Sequence, residues 1–76
     1  MKELLLYVAK SLVENPDAVT VNEREENGET VFELHVAPDD MGKVIGRHGK
    51  IAREIRILMR SVATRKGQRI SVDIVD

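Results

Sequence analysis

Two glycines three positions apart, Gly46 and Gly49, enclose Arg47 and His48. Lys43 and Lys50 lie just outside the pair, and Arg53 follows about one helical turn later. Glycine lets a sugar-phosphate chain come closer to the polypeptide than any Cβ would allow, and it reaches the positive φ that a tight turn needs. Val44 and Ile45 before the turn, and Ile51 and Ile55 after it, would anchor a helix on each side. The second glycine then opens a helix whose free N–H groups and positive dipole end favour a phosphate. Glycine spacing alone is a weak signal, because many helix-to-helix turns use one. Polar, cationic residues between the glycines and apolar anchors outside them make the segment a candidate phosphate clamp.

Other chemistry finds little support. Ser11, Ser61 and Ser71 have no base placed to make a nucleophile of them, so no catalytic residues are expected. His35 beside Glu33 reads as a solvated strand residue, and Asp39-Asp40 reads as a helix N-cap and its neighbour behind Pro38. There is no cysteine, hence no disulfide and no Cys/His zinc cluster, and no metal or cofactor is expected. The lack of disulfides fits a reducing cytoplasm. The apolar run Leu4 to Ala9 is broken by Lys10, too short for a signal peptide or a membrane span, and reads as an amphipathic helix.

Charge is segregated along the chain. Residues 1–40 carry three Lys or Arg against ten acids, whereas residues 41–76 carry nine against three. Net charges of −7 and +6 suit a polyanion-binding side opposed by an acidic side that limits indiscriminate adhesion.

The elements that must position the loop follow from periodicity. Leu4, Leu5, Val8, Leu12 and Val13 recur at helical spacing over residues 3–14, and Asn15-Pro16-Asp17 ends that helix. Val19 and Val21 alternate with polar residues in a strand, Asn27-Gly28 supplies a type I′ turn, and Phe32, Leu34 and Val36 return. A short helix from Met41 to about Ile45 precedes the loop. A long helix from Lys50 to about Lys66 follows it, with Ile51, Ile55, Leu58, Met59 and Val62 on one stripe and Gly67 closing it. A last strand, Arg69 to Val75, puts Ile70, Val72 and Ile74 on one face. The order is α-β-β-α-α-β, an α+β fold in which helices cover one face of a three-stranded sheet, with residues 1–76 forming one domain. Tyr7 and Phe32 are the only aromatics, both expected in the core, so base stacking on exposed rings is not expected.

Val44-Ile45-Gly46-Arg47-His48-Gly49-Lys50 resembles the signature of KH domains, whose Gly-x-x-Gly loop clamps single-stranded nucleic acid. The element order is that of the type II (bacterial) KH fold. Over essentially the whole chain, including Asn-Pro-Asp-Ala and Asp-Asp-Met-Gly-Lys-Val-Ile-Gly-Arg, the sequence is similar to the KhpA family of small bacterial RNA-binding proteins. His48 stands where Lys or Arg is commoner, and an imidazole ordinarily loses its charge above about pH 6.5.

The resemblance implies an RNA-binding protein of low sequence specificity, a post-transcriptional regulator or RNA chaperone rather than an enzyme. Single-stranded RNA would run between the loop with its flanking helices and the return strand of the hairpin. Gly46, Arg47, His48 and Gly49 would hold phosphates, Lys43, Lys50 and Arg53 would add charge, and Val44, Ile45 and Ile51 would offer an apolar floor or pack the core. It further implies a homodimer, or a pairing with a larger KhpB-like protein, through the long helix at Arg56, Ile57, Leu58 and Ser61. Ile57 is an apolar residue among Arg53, Arg60 and Thr64, on the face expected to be wet. The competing reading is a protein-interaction module on the same scaffold, with RNA secondary.

Overall fold

The computed structural model describes residues 1–75. Helix α1 spans Lys2–Leu12 and buries Leu5 and Ala9, four apart and therefore one above the other. Tyr7 lies about 200° round the helix from Leu5 and is 72% exposed, which corrects its expected place in the core. Val13 is already extended, and Asn15-Pro16 leads into a single 3-10 turn, Pro16–Ala18.

Strands β1 (Thr20–Glu26) and β2 (Glu29–His35) form the expected hairpin, with Asn27 and Gly28 both at positive φ as a type I′ turn requires. A 3-10 turn, Pro38–Asp40, runs directly into α2, Met41–Ile45. One further 3-10 turn, Arg47–Gly49, connects to α3, Lys50–Arg65. Helix α3 ends as the Gly67 reading requires. The Gln68 N–H donates to the Ala63 carbonyl at 2.9 Å and the Gly67 N–H to that of Thr64 at 3.1 Å, which together make a Schellman closure. Strand β3, Ile70–Val75, completes the sheet.

Strand order is β1-β2-β3, antiparallel then parallel, and the parallel pair requires the crossover that α2 and α3 supply. Val21, Phe32, Leu34, Ile70 and Val72 share the covered face and pack on Leu5, Ala9, Val44, Ile55, Met59 and Ala63 from the helices. Each large side chain so buried contributes about 1.5–3 kcal/mol, whereas an exposed ion pair contributes about 0–1 kcal/mol. The helices are therefore held by their apolar stripes. The stripe of α3 is narrower than periodicity implied, because the small residues Ala52 and Ala63 complete it and Leu58 stays 41% exposed.

On the open face of the sheet, Arg24 bridges all three strands by pairing with Glu26, Glu33 and Asp73. Five of the ten acids of residues 1–40 lie on the hairpin strands, Glu23, Glu25, Glu26, Glu29 and Glu33, away from the basic α3.

Candidate nucleic-acid interface

Helix α2 is one turn long, and its end becomes the loop. The Gly46 N–H donates to the Gly42 carbonyl at 2.9 Å and the Gly49 N–H to that of Gly46 at 3.2 Å, so the backbone doubles back within four residues. Gly46 has φ 76°, and a Cβ there would lie 2.6 Å from Ile51 Cγ1. Glycine is required at 46 twice over, for conformation and for space. Gly49, at φ 72°, faces open space, so only its conformation asks for glycine. His48 adopts the left-handed region without being glycine, at φ 56° and ψ 25°. That conformation costs a residue with a Cβ about 1 kcal/mol.

No side chain caps the Arg47–Gly49 turn or α3. At this end the Gly49 and Lys50 N–H groups are taken up within the turn, by the carbonyls of Gly46 and Arg47, and the positive end of the α3 dipole opens beside exposed Arg47, His48 and Lys50. Arg53 is exposed one turn further on. None of Arg47, Lys50 and Arg53 makes an ion pair among the described residues, so their charge is available to a ligand.

Lys43 differs. Its Nζ lies 3.2 Å from Glu14 Oε1 and 3.7 Å from Asp40 Oδ1. The hydrogen bond to Glu14 and the negative charges of Glu14 and Asp40 hold its ammonium above the ordinary lysine value. A phosphate at Lys43 would compete with two carboxylates.

The apolar residues separate cleanly. Val44 is fully buried and belongs to the core, so it offers no surface to a base. Ile51 is half-buried against Gly46, and Ile45 is 37% exposed. The return strand β2, which the resemblance sets across from the loop, is not the strand that α3 packs on. β2 is central, with both edges hydrogen-bonded, and the strand whose free edge borders α3 is β3. Arg56 marks that border, its Nε donating to the Val72 carbonyl at 3.1 Å, which draws it onto β3. Ile57 (50% exposed), Leu58 and Ser61 remain on the outer surface of α3. Leu58 also lines an apolar groove with Val8, Leu12, Ile51 and Ile55.

Asp40 was missed as a functional candidate. It occupies the N-cap position of α2 yet makes no hydrogen bond to that helix, so the capping role expected from sequence is wrong. Its carboxylate accepts from the backbone N–H groups of Glu14 (3.2 Å) and Asn15 (3.0 Å) and from Asn15 Nδ2 (3.1 Å). Burial alone would raise its pKa. The hydrogen bonds from Glu14 and Asn15 and the charge of Lys43 outweigh that and hold the carboxyl below the ordinary aspartate value.

This geometry is a glycine turn joining a one-turn helix to an uncapped long helix, under a parallel β2–β3 crossover. The sequence matches the family described as KhpA/KhpB, KH domain, over residues 2–74. The chain belongs to that family. It is 49% identical to RNA-binding protein KhpA of Caldanaerobacter subterraneus subsp. tengcongensis, over 99% of this chain and 100% of the relative. It is 47% identical to the KhpA of Clostridium acetobutylicum with the same coverage, and 42% identical to that of Halalkalibacterium halodurans over the full length of both. Among solved structures, Aquifex aeolicus Era bound to GDP.AlF4− superposes with a TM-score of 0.67 at 20% identity. Era in complex with MgGDPNP and nucleotides 1506-1542 of 16S ribosomal RNA gives 0.66, also at 20% identity. Each match covers 96% of this chain and 28% of the Era chain, and at that identity it bears on the fold alone. The fold is the expected α+β, type II KH arrangement. No described helix is long and apolar enough to cross a membrane.

Proposed function

We propose that the chain binds single-stranded RNA by its backbone at Gly46–Gly49. The observation that carries this reading is the loop itself, in which positive-φ glycines, the start of a long helix that no side chain caps, and cations with no ion-pair partner among the described residues come together. The RNA-binding names of full-length relatives at 40–49% identity support it. Gly46, Arg47, His48, Gly49, Lys50 and Arg53 hold phosphates, and exposed Ile45 touches bases. Lys43 contributes only when it leaves Glu14. The basic half of the chain contains no aromatic residue, so recognition rests on backbone, aliphatic and edge contacts, and specificity is low. The role that fits is a binding protein, a post-transcriptional regulator or RNA chaperone, rather than an enzyme.

Pairing through α3 belongs to the same reading. Exposed Ile57 and Leu58 suit a second copy of the chain or the KH domain of a KhpB-like protein, and a pair would add avidity to a weak single site.

Replacing Arg47 and His48 together with Asp tests the clamp. Binding of a labelled oligouridine should fall on the order of 30-fold while sedimentation is unchanged, since two favourable phosphate contacts become repulsive. Parent-like RNA binding in that variant would return the protein to the interaction-module reading. Ile57→Phe should do the reverse, lowering the sedimenting mass with the loop intact. An unchanged mass would remove α3 as the pairing surface.

A further inference from the structure

A helix of five residues cannot hold its own direction. Helix α2 closes barely more than one turn of backbone hydrogen bonds, so its aim depends on what grips its two ends. At the C-terminal end, Val44 is fully buried and Gly46 lies against Ile51. At the N-terminal end the grip is Asp40, whose side chain is 1% exposed and is the one buried charged group among the described residues.

The carboxylate does not serve the helix it precedes. Both oxygens turn to residues 25 and 26 positions earlier, where α1 has ended and the chain reverses before β1. The Glu14 N–H reaches one oxygen, and the Asn15 N–H and amide reach the other. Two backbone donors that the reversal would leave unsatisfied are thereby paired, and two distant elements share one set of hydrogen bonds. Lys43, three residues into the helix, closes the cluster through Glu14 and Asp40. An acceptor fixed by three donors in a buried site tolerates little displacement.

We infer that Asp40 is a positioning residue for the nucleic-acid loop, setting the direction of α2, and with it the aim of Gly46–Gly49, by tying the start of that helix to the turn after α1. It touches no phosphate itself. The inference rests on the clamp reading for its consequence in binding, and stands independently of it for its consequence in loop geometry.

Asp40→Asn tests both. The amide puts one donor where the carboxylate had only acceptors, so it faces N–H groups it cannot satisfy. The folded variant, held well below its melting temperature, should show shifted amide resonances for residues 46–50 in the absence of RNA. Its affinity for the oligouridine should fall about tenfold, the low end of what the supporting partners of a binding site cost. The slope of log affinity against log salt should stay at the parent value, because no phosphate contact is removed. Asn15→Ala, which deletes one donor and leaves the carboxylate, should move the same resonances by less. Unmoved loop amides in both variants overturn the inference. So does parent-like affinity in Asp40→Asn beside a clear loss in the Arg47/His48 variant, which would leave Asp40 a stabilising residue only. If the Arg47/His48 variant itself binds RNA as the parent does, the clamp reading has failed, and the loop amides alone decide on Asp40.

Discussion

Two turns in this molecule share nearly the same pair of positive φ angles and face opposite chemistry. Asn27 and Gly28 have φ of 54° and 77°, and His48 and Gly49 have 56° and 72°. The first pair joins strands among Glu25, Glu26 and Glu29, with the Thr30 hydroxyl donating to Glu25 at 2.6 Å. The second joins helices among Arg47, Lys50 and Arg53. Consecutive positive-φ residues therefore do not make an anion site. What distinguishes the loop is the element that follows, a long helix whose positive dipole end meets the turn instead of a strand with no such end, together with the sign of the neighbouring charges.

The largest expected effect on RNA binding separates a local clamp from the overall field of the protein. Lys50→Glu with Arg53→Glu should weaken oligouridine binding on the order of 30-fold and flatten its salt dependence, which starts at a slope of roughly −2 to −3 for three or four phosphates on a single strand. Glu25→Lys with Glu26→Lys adds as much positive charge at the hairpin, and should tighten binding only about twofold through the long-range field, which salt screens. Equal and opposite changes would mean that RNA senses the overall field of the protein and not a clamp.

In stability, the two turns should differ in their response to a methyl group. Gly46→Ala meets both a positive φ and the Ile51 side chain at 2.6 Å, and should cost about 3 kcal/mol of stability from strain and overpacking together. Gly28→Ala meets the φ alone, with nothing within 4 Å of the added Cβ, and should cost about 1 kcal/mol. Urea unfolding of the two variants measures the difference. Comparable losses would show that Ile51 yields, and that Gly46 is needed for its conformation only.

The comparison also shows which parts of the molecule were legible in its sequence. Turn chemistry and period were local signals, and they sufficed for the element order, the hairpin, the long helix and the Gly46–Gly49 loop. Four features needed contacts across the chain. Tyr7 looked like core because it is aromatic, but the helix turns it away from Leu5 and Ala9, the residues that meet the sheet. The resemblance set β2 across the groove from the loop. The parallel crossover instead places β3 beside α3, and the sequence does not state strand order. Asp40 carried every mark of an N-cap, yet its partners lie 25 and 26 residues back, and no spacing rule could have found them. The partners of Lys43 lie out of reach of sequence for the same reason. Beside glycine and other cations it reads as free charge, and only the fold shows Glu14 and Asp40 holding it.

The smallest expected effect concerns acid, and it sets the anchored turn against the unanchored one. The carboxyl of Asp40 is held below its ordinary value of 3.8 in the folded chain, so the unfolded chain takes up the proton first as pH falls. A group depressed in this way contributes its stability in full above the unfolded value and loses it as pH falls through the folded one. The window therefore opens just under about pH 4 and lies on its acid side. Within it the tie between α2 and residues 14 and 15 should weaken, and amide exchange at residues 46–50 should rise relative to that at residues 27–29. The hairpin turn is closed by its own strand ladder and has no buried carboxylate to lose, so its exchange relative to the strands should stay unchanged through this window. In Asp40→Asn the loop-specific rise should vanish, because the group that titrates is gone. A rise that persists in that variant would place the acid sensitivity elsewhere, with Glu14 the nearest remaining carboxylate to the loop-side cluster. It would also remove the buried anchor from the list of differences between the two turns, leaving the helix terminus and the surrounding charge to account for all of them.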